Sequence, residues 1–219
     1  MTEEELIARH PHVWHMATDG SWPSIKKSGL LSVSRLLDLY GVKGEARVAI
    51  ESARRPQCVT LKAPSLPDAT VRDNKPMFEA SLLKCLQDGL TPRDWYEILN
   101  RKTFFWVERE RLERLLGAKA YSKDPQTVLM IDTKALLDRH RDEILLSGIN
   151  SGQTLYVPQP RGKSTFQPIS AYPTDDGKIG TKTKPKIVEL VVEGGVPNVN
   201  GLVLQVERIH NGKWEQYAL

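Results

Sequence analysis

The sequence has few cysteines and no long hydrophobic run. Its two cysteines, Cys58 and Cys85, lack the spacing of a metal site and are too few for a disulfide framework, which favours a reducing compartment. Because there is no stretch of about twenty apolar residues and no apolar leader before a cleavage site, we expect a cytoplasmic protein without membrane contact. No Gly-x-Gly-x-x-Gly sequence occurs, which speaks against a Rossmann dehydrogenase. His10 and His12 have no partner at metal-ligand spacing, so we predict no metal site and interpret both as surface residues.

The remaining composition is typical of one folded domain. The chain has 219 residues, of which 40% are hydrophobic. The net charge of +4 and a pI near 9.0 mildly favour an anionic partner. We expect a single α+β domain over residues 1–219, with a helical insert at about 76–100 and a basic loop at about 158–186.

Hydrophobic periodicity and capping residues locate the elements. The predicted helices cover residues 2–9, 22–28, 33–40, 45–54, 76–86, 92–99, 110–116 and 133–141. The predicted strands cover 13–17, 58–61, 69–72, 103–107 and 128–132, with a late strand around Glu189 and a closing hairpin of 203–209 with 213–217. We interpret Arg54 and Arg55, which follow the fourth helix, as part of a solvated face.

The first candidate site lies in the strand of residues 13–17 (Val-Trp-His-Met-Ala). Val13 and its neighbour suit a buried strand, and a short helix that stops at Gly29 follows, with Asp19 and Ser21 as N-cap candidates. His15 would therefore stand at the end of a core strand, beside the cleft that the helix borders. A histidine in this position is also a common structural group, and this segment alone leaves both readings open.

The second candidate site is a carboxylate inside an apolar strand near the end of the chain. The strand period of two places Glu189, Val191 and Glu193 on one face, and Val188, Leu190 and Val192 on the other. An ionised carboxylate is costly to bury unless it is paired. Glu189 is therefore either on the wet face of an edge strand or held at a cleft for hydrogen bonding or base chemistry.

Together these segments resemble the DarT-type ADP-ribosyltransferases, which modify nucleic-acid bases. The resemblance rests on the histidine strand, on the helix pattern Ile-x-x-x-Gly-Leu that ends at Leu30, and on the late Glu-Leu-Val-Val ahead of Val-Pro. A third island, residues 71–77 (Val-Arg-Asp-Asn-Lys-Pro-Met), is similar to the family's Arg-Ser-Pro-Met stretch, with one extra residue and no Ser. Stretches that do not align separate the three islands.

The resemblance implies a split mixed or antiparallel β-sheet with flanking helices, NAD as co-substrate, and transfer of ADP-ribose with release of nicotinamide. Glu189 would hydrogen-bond a ribose hydroxyl and stabilise the positive charge that develops on the ribose. His15 would hold a ribose hydroxyl of the adenosine half, and Arg72 would contact the pyrophosphate or the acceptor.

The same resemblance implies a set of residues around NAD. This cofactor-binding set is His15, Met16, Ser24, Gly29, Leu30, Phe105, Trp106 and Asn150. Three of its members have a second interpretation: Phe105 and Trp106 as core aromatics of a strand, and Asn150 as part of a plain polar turn.

The basic loop before Glu189 is rich in proline, glycine and lysine, which is typical of irregular backbone. By the resemblance, this segment presents the target, so we assign substrate binding to Lys178, Lys182, Lys184 and Lys186. Lysines that contact phosphates suit a nucleic-acid acceptor, single-stranded DNA or RNA. A solvated bystander loop is the alternative. The resemblance further implies a toxin or phage-defence role with an antitoxin as a candidate partner, and it leaves the oligomeric state open.

Two other functions compete with the transferase. A tRNA 2′-phosphotransferase-like enzyme also uses NAD and has an early strand histidine, but it needs no glutamate on the late strand. A non-catalytic module that binds nucleic acid or protein on the same fold would release no nicotinamide. Substitution of Glu189 separates the first from the transferase, and measured NAD turnover separates the second from both enzymes.

Overall fold

One large antiparallel sheet organises the protein. A computed structural model describes residues 1–155, 158–173 and 186–217. The strands are β1 (His12–Thr18), β2 (Leu30–Leu31), β3 (Val59–Ala63), β4 (Leu66–Val71), β5 (Lys102–Trp106), β6 (Gln126–Asp132), β7 (Ile144–Ser147), β8 (Gln167–Pro168), β9 (Glu189–Glu193), β10 (Gly195–Val196), β11 (Val203–His210) and β12 (Lys213–Tyr217). The large sheet has the order β12-β11-β6-β1-β5-β9-β7-β8, and β10-β2 and β3-β4 form separate ribbons. The expected α+β class with a large antiparallel sheet is confirmed.

Helices flank this sheet on both faces. They are α1 (Glu3–Arg9), α2 (Trp22–Ser28), α3 (Val33–Leu39), α4 (Gly44–Glu51), α5 (Glu79–Leu83), α6 (Pro92–Asn100), α7 (Arg109–Leu116) and α8 (Thr133–His140). Capping residues begin several of them, as predicted: Thr2 and Thr91 form capping boxes, and the Asp132 carboxylate accepts from the Ala135 amide. Within the described residues, no helix is long and apolar enough to cross a membrane.

The structure corrects several local predictions. The helix predicted over 76–86 shrinks to α5, because the main chain on either side of Met77 bonds to Thr154 instead of forming a helical turn. Strand β7 was not predicted, and its four residues directly follow a 3-10 turn. Neither N-cap candidate caps α2: Asp19 pairs with Arg208, and the Ser21 hydroxyl donates to a main-chain carbonyl.

His10 and Arg54 also differ from expectation. His10 is buried, and its Nδ1 donates to the carbonyl oxygen of Val107 at 3.0 Å. Arg54 is only partly exposed, because its guanidinium donates to the carbonyl oxygens of Met77 (2.6 Å) and Lys75 (2.9 Å). In both residues a polar group binds main-chain oxygen from a distant part of the chain, which the local sequence does not reveal.

The sheet splits between its two central strands. Strands β1 and β5 pair where Trp14 lies opposite Trp106, and within the described residues their register extends no further. Beyond this point β1 stays with β6 as far as Thr18, while β5 pairs along its length with β9. The two strands therefore diverge and leave a gap in the middle of the sheet.

Strand β9 lies inside the sheet, between β5 and β7, so the edge-strand interpretation of Glu189 is wrong. Leu190 and Val192 pack into the largest hydrophobic core, whereas Val191 packs into a second core formed with α5 and α6. The predicted alternation along this strand is confirmed. Glu189 consequently points to the same face as Val191, towards the helical segment 76–100.

Gly29 brings α2 against the chain that follows β9. Its φ of +89° is the left-handed region that favours glycine, and a Cβ added there would lie 2.5 to 2.9 Å from main-chain atoms of Pro197. Its neighbours continue into β2, which pairs with β10. This close approach packs the end of α2 against the chain that follows β9.

Gly29→Ala therefore tests the close approach between Gly29 and the main chain of Pro197. Gly41 is a matched control, because its φ is +68° and no described atom lies within 4 Å of an added Cβ. We expect Gly41→Ala to lower the free energy of unfolding by about 1 kcal/mol through backbone strain alone. Gly29→Ala should cost a further 1 to 3 kcal/mol or so, because the main chain must move. Urea unfolding measures both, and equal losses in the two variants would contradict the close approach.

Candidate active site

A cavity of about 360 Å³ occupies the gap between β1 and β5. Its walls come from β1, α2, β4, β5, the turn at 150–153 and Glu189 on β9. Every catalytic and cofactor-binding residue predicted from the sequence lines this cavity: His15, Met16, Ser24, Gly29, Leu30, Arg72, Phe105, Trp106, Asn150 and Glu189. The three sequence islands, which are far apart along the chain, thus meet at one place. Its volume lies within the usual range of small-molecule sites.

His15 stands at the point where the two central strands diverge. Its Nδ1 lies 2.9 Å from the carbonyl oxygen of Phe104, so Nδ1 carries the proton and donates it. Burial lowers the pKa of His15 to about 4. The Phe104 hydrogen bond opposes this change, and the charge of Arg72 adds to it. The ring is therefore neutral at pH 7, and Nε2 is a hydrogen-bond acceptor.

Glu189 is a buried carboxylate with defined partners. It is 5% exposed. The Ser151 amide donates to both carboxylate oxygens at 3.2 and 3.3 Å, and the Ser151 hydroxyl donates to Oε2 at 2.7 Å. Burial raises the pKa of Glu189 to about 7, while the Ser151 bonds and the charge of Arg161 hold it down. Near neutral pH this group can therefore both accept and release a proton.

Arg72 lies on another wall and carries no carboxylate partner among the described residues. Its Nη1 donates to Oε1 of Gln126 at 2.5 Å, and its guanidinium lies 5.4 Å from the ring centre of Tyr121. The Tyr121 hydroxyl donates to Asp73 at 3.0 Å, and the backbone amide and ammonium of Lys75 also bind this carboxylate. The Asp73 carboxylate therefore interacts with Tyr121 and Lys75 and not with Arg72, so the charge of Arg72 is available to a ligand.

Arg55 corrects the expectation of a solvated face. It is 7% exposed, and its guanidinium donates to the carbonyl oxygens of Arg72 (3.1 Å) and Ile50 and to Oδ1 of Asn100 (3.0 Å). Burial lowers the pKa of Arg55 to about 10, and the charge of Asp73 opposes this change. Arg55 lines the cavity, so it adds a second positive charge to the wall that holds Arg72.

Phe105, Trp106 and Asn150 each had a structural and a cofactor-binding interpretation, and the structure supports parts of both. Phe105 is 1% exposed and belongs to the main core, although one side of it borders the cavity. Trp106 is partly exposed and packs against α7 on the opposite face. Asn150 donates to Oε1 of Gln153 at 3.2 Å, which is typical of a polar turn, while the turn itself borders the cavity.

Of the four lysines predicted to bind the substrate, one lies within the described residues. Lys186 is exposed and lies three residues before Glu189. Lys178, Lys182 and Lys184 lie outside the described residues. Their assignment therefore stays a prediction.

Sequence reasoning missed Ser151 and Arg161, which hold Glu189 in place. Ser151 lies in a turn that the sequence marks as polar, but no local pattern shows that it faces a strand thirty-eight positions away. Arg161 lies in the proline-rich segment, where its charge suggested solvent exposure. A buried carboxylate requires donors, so the lone Glu in an apolar strand was the available signal that such partners exist.

Residues 11–203 match the family described as "Family of unknown function (DUF7002)", and the chain belongs to this family. No curated protein matches the sequence. The family description carries no activity.

The raised pKa of Glu189 predicts a pH-dependent stability. Between its ordinary value of 4.5 and about 7, the folded carboxyl binds a proton that the unfolded chain has released, so stability falls as pH rises through this range. Glu189→Gln removes this term. We expect the variant to gain up to about 3 kcal/mol relative to the wild type between pH 4.5 and 7, with no further gain above.

Urea unfolding of both proteins from pH 4.5 to 8.5 measures this difference. His15→Asn is the internal control, because its effect has the opposite sign. Unfolded His15 binds a proton below 6.5 and the folded ring does so only below about 4, so the wild type gains stability as pH rises between these values. A constant difference between Glu189→Gln and the wild type would contradict the raised pKa of Glu189.

Proposed function

We propose that this protein is an NAD-dependent mono-ADP-ribosyltransferase whose active site is the cavity between β1 and β5. The observation that carries the proposal is Glu189, a buried carboxylate with a pKa near 7 that borders this cavity beside a neutral histidine and two arginines. The resemblance to DarT-type enzymes adds support, because the residues that carry it meet at the same cavity. We further propose that the split sheet corresponds to the fold of that group.

The residues of the cavity suit a dinucleotide. Nε2 of His15 can accept a hydrogen bond from a ribose hydroxyl, since Nδ1 is already committed to Phe104. Arg72 supplies a guanidinium group for the pyrophosphate, and the charge of Arg55, whose nitrogens already bind protein oxygens, adds to the positive potential of the same wall. Ser24 on α2 adds a hydroxyl to the wall, and Phe105 and Leu30 supply apolar surface. Two positive charges on one wall of the cavity, together with an acceptor for a hydroxyl, favour a phosphorylated ribose ligand.

Glu189 performs the central chemistry in this proposal. NAD supplies a ribose carbon whose nicotinamide is a good leaving group. The Glu189 carboxylate accepts a hydrogen bond from a ribose hydroxyl, and this interaction strengthens as positive charge develops on the ribose. Ser151 already holds the carboxylate in one orientation, so little reorganisation is needed during the reaction. With its pKa near 7, the same group can take the proton of the acceptor.

We propose that the acceptor is a base of single-stranded DNA or RNA. The segment 158–186 runs into β9, and its exposed Lys186 lies close to Glu189 in sequence. Phosphate contacts from such lysines supply affinity without reading sequence. A toxin or phage-defence role and an antitoxin partner belong to the same proposal and follow from the resemblance alone. The proposed cytoplasmic setting follows from the low number of cysteines and the lack of long apolar runs.

Glu189→Gln tests the function directly. Glutamine keeps the shape and loses the charge, so nicotinamide release and ADP-ribose transfer should fall by about a hundredfold or more. Glu193→Gln is the matched control on the same strand: this residue pairs with Lys102 at 2.8 Å and does not border the cavity. Labelled NAD is incubated with single- and double-stranded DNA and RNA, and products are identified by mass analysis.

Two results would count against the transferase. Full NAD turnover by Glu189→Gln, with transfer of a phosphate to NAD, would favour the 2′-phosphotransferase-like enzyme. Absence of nicotinamide release by the wild type with every acceptor would favour a non-catalytic binding module. If the carboxylate is the working form, the wild-type rate should also rise with pH through about 7.

His15→Asn tests the co-substrate contact. The asparagine amide can still donate to the Phe104 carbonyl, but it offers no acceptor at the position of Nε2. We expect NAD affinity to fall by about three- to tenfold, which is the value of one hydrogen bond, with a smaller change in turnover at saturation. Calorimetry measures the affinity, with His12→Asn as the control because His12 does not border the cavity. Unchanged affinity in His15→Asn would contradict the assigned contact.

A further inference from the structure

Arg161 is a buried arginine that the proposed reaction does not use directly. It is 1% exposed. Its guanidinium donates to three main-chain oxygens, those of Gln159 (3.1 Å), Ser151 (2.9 Å) and Gln153 (3.0 Å). Planar guanidinium groups suit such multiple contacts, and this one fixes the turn at 150–153.

The turn that Arg161 fixes is the one that binds Glu189. Ser151 donates its amide and hydroxyl to the carboxylate, and its carbonyl oxygen accepts from Arg161 and from Nε1 of Trp95 at 3.4 Å. Trp95 also lies against the guanidinium, with 5.9 Å between the ring centre and Cζ. The main chain of Arg161 is held by Cys85, whose carbonyl accepts from the Arg161 amide at 2.9 Å. A continuous set of contacts therefore runs from the helical segment 76–100 to Glu189.

Arg161 is also the charged group that acts on Glu189. The groups around this carboxylate are Ser147 and Trp106 on the adjacent strands, both uncharged, the Ser151 turn, and Arg161 behind the turn. Among the described residues, no carboxylate lies within ion-pair distance of the Arg161 guanidinium. The charges of Arg161 and Glu189 stabilise each other across the turn.

We propose that Arg161 is a positioning residue, which holds the Ser151 turn around Glu189 and supplies the buried positive charge that stabilises the ionised carboxylate. The inference rests on the proposed function for its catalytic consequence. The geometry itself is independent of the substrate. The helical segment 76–100 then acts as the support of the site, because it holds Arg161 through its main chain and through Trp95.

The test measures the pH at which Glu189 ionises in the folded protein. The difference in free energy of unfolding between each protein and its Glu189→Gln counterpart is followed from pH 5 to 9. This difference changes with pH up to the folded pKa of Glu189 and is constant above it, so the midpoint of Glu189 ionisation in the folded protein is read as the pH at which the difference levels off. The wild-type midpoint is expected near 7. In Arg161→Met the midpoint should rise by about one pH unit or more, because the buried positive charge is lost. Arg161→Lys keeps the charge and should stay closer to the wild-type midpoint, yet it cannot bind several carbonyls in one plane and should turn over more slowly.

Arg54→Met is the matched control. Arg54 also donates to two main-chain carbonyls but does not contact the Ser151 turn, so its loss should lower stability without moving the Glu189 midpoint. An unchanged midpoint in Arg161→Met, or an equal shift in Arg54→Met, would overturn the proposal. If Arg161→Met does not fold, Arg161→Gln replaces it, since its amide still donates to a carbonyl, and the same criterion applies. Absence of nicotinamide release by the wild type would contradict the proposed function but not the role of Arg161, because the Glu189 midpoint is measured by unfolding and does not depend on activity.

Discussion

The burial of Glu189 is the constraint on which the rest of this site depends. A carboxylate in the middle of a sheet loses its hydration, and it stays compatible with folding only when donors replace the lost water. Ser151 supplies these donors, and Arg161 holds Ser151 in place. The desolvation that these donors do not offset raises the pKa of Glu189 to about 7. A group that costs stability when ionised is typical of functional sites rather than of structural ones, which is why the carboxylate is more informative than any other residue of the cavity.

The split of the sheet likewise leaves a polar group in need of a partner, and His15 supplies it. Where β1 leaves β5, the main chain of β5 has no strand on that side to complete its hydrogen bonds within the described residues, and the Phe104 carbonyl accepts from Nδ1 of His15 instead. One side chain thus satisfies the backbone at the split and fixes its own tautomer. The structural interpretation of a strand-end histidine and the functional one are therefore compatible. The hydrogen bond from Nδ1 to the Phe104 carbonyl leaves Nε2 as an acceptor for a ligand hydroxyl.

The cavity combines groups whose environments change their ionisation in opposite directions. Desolvation keeps His15 neutral and raises the pKa of Glu189 into the neutral range, while two arginines contribute positive charge to the cavity wall. The arginines lie on one wall and Glu189 on another, with Arg161 behind it. Such a separation of charge suits a ligand that carries negative charge at one end and develops positive charge at the other. The helical segment 76–100 contributes to this arrangement indirectly, because Trp95 and Cys85 support Arg161.

Local sequence patterns were sufficient to predict most of the secondary structure and to identify Glu189 as an unusual residue in an apolar strand. Capping residues and periodicity located most helices and strands, since these signals depend on neighbours along the chain, and the alternation around Glu189 placed it on the correct face. The three-dimensional fold was needed to show that β9 is an interior strand, that Arg55, Arg161 and His10 are buried, and that Ser151 binds Glu189. Each of these depends on contacts between residues far apart in sequence. A charged side chain in a polar segment has the same sequence signature whether it meets solvent or the carbonyl oxygens of a distant turn, and the fold alone distinguishes the two.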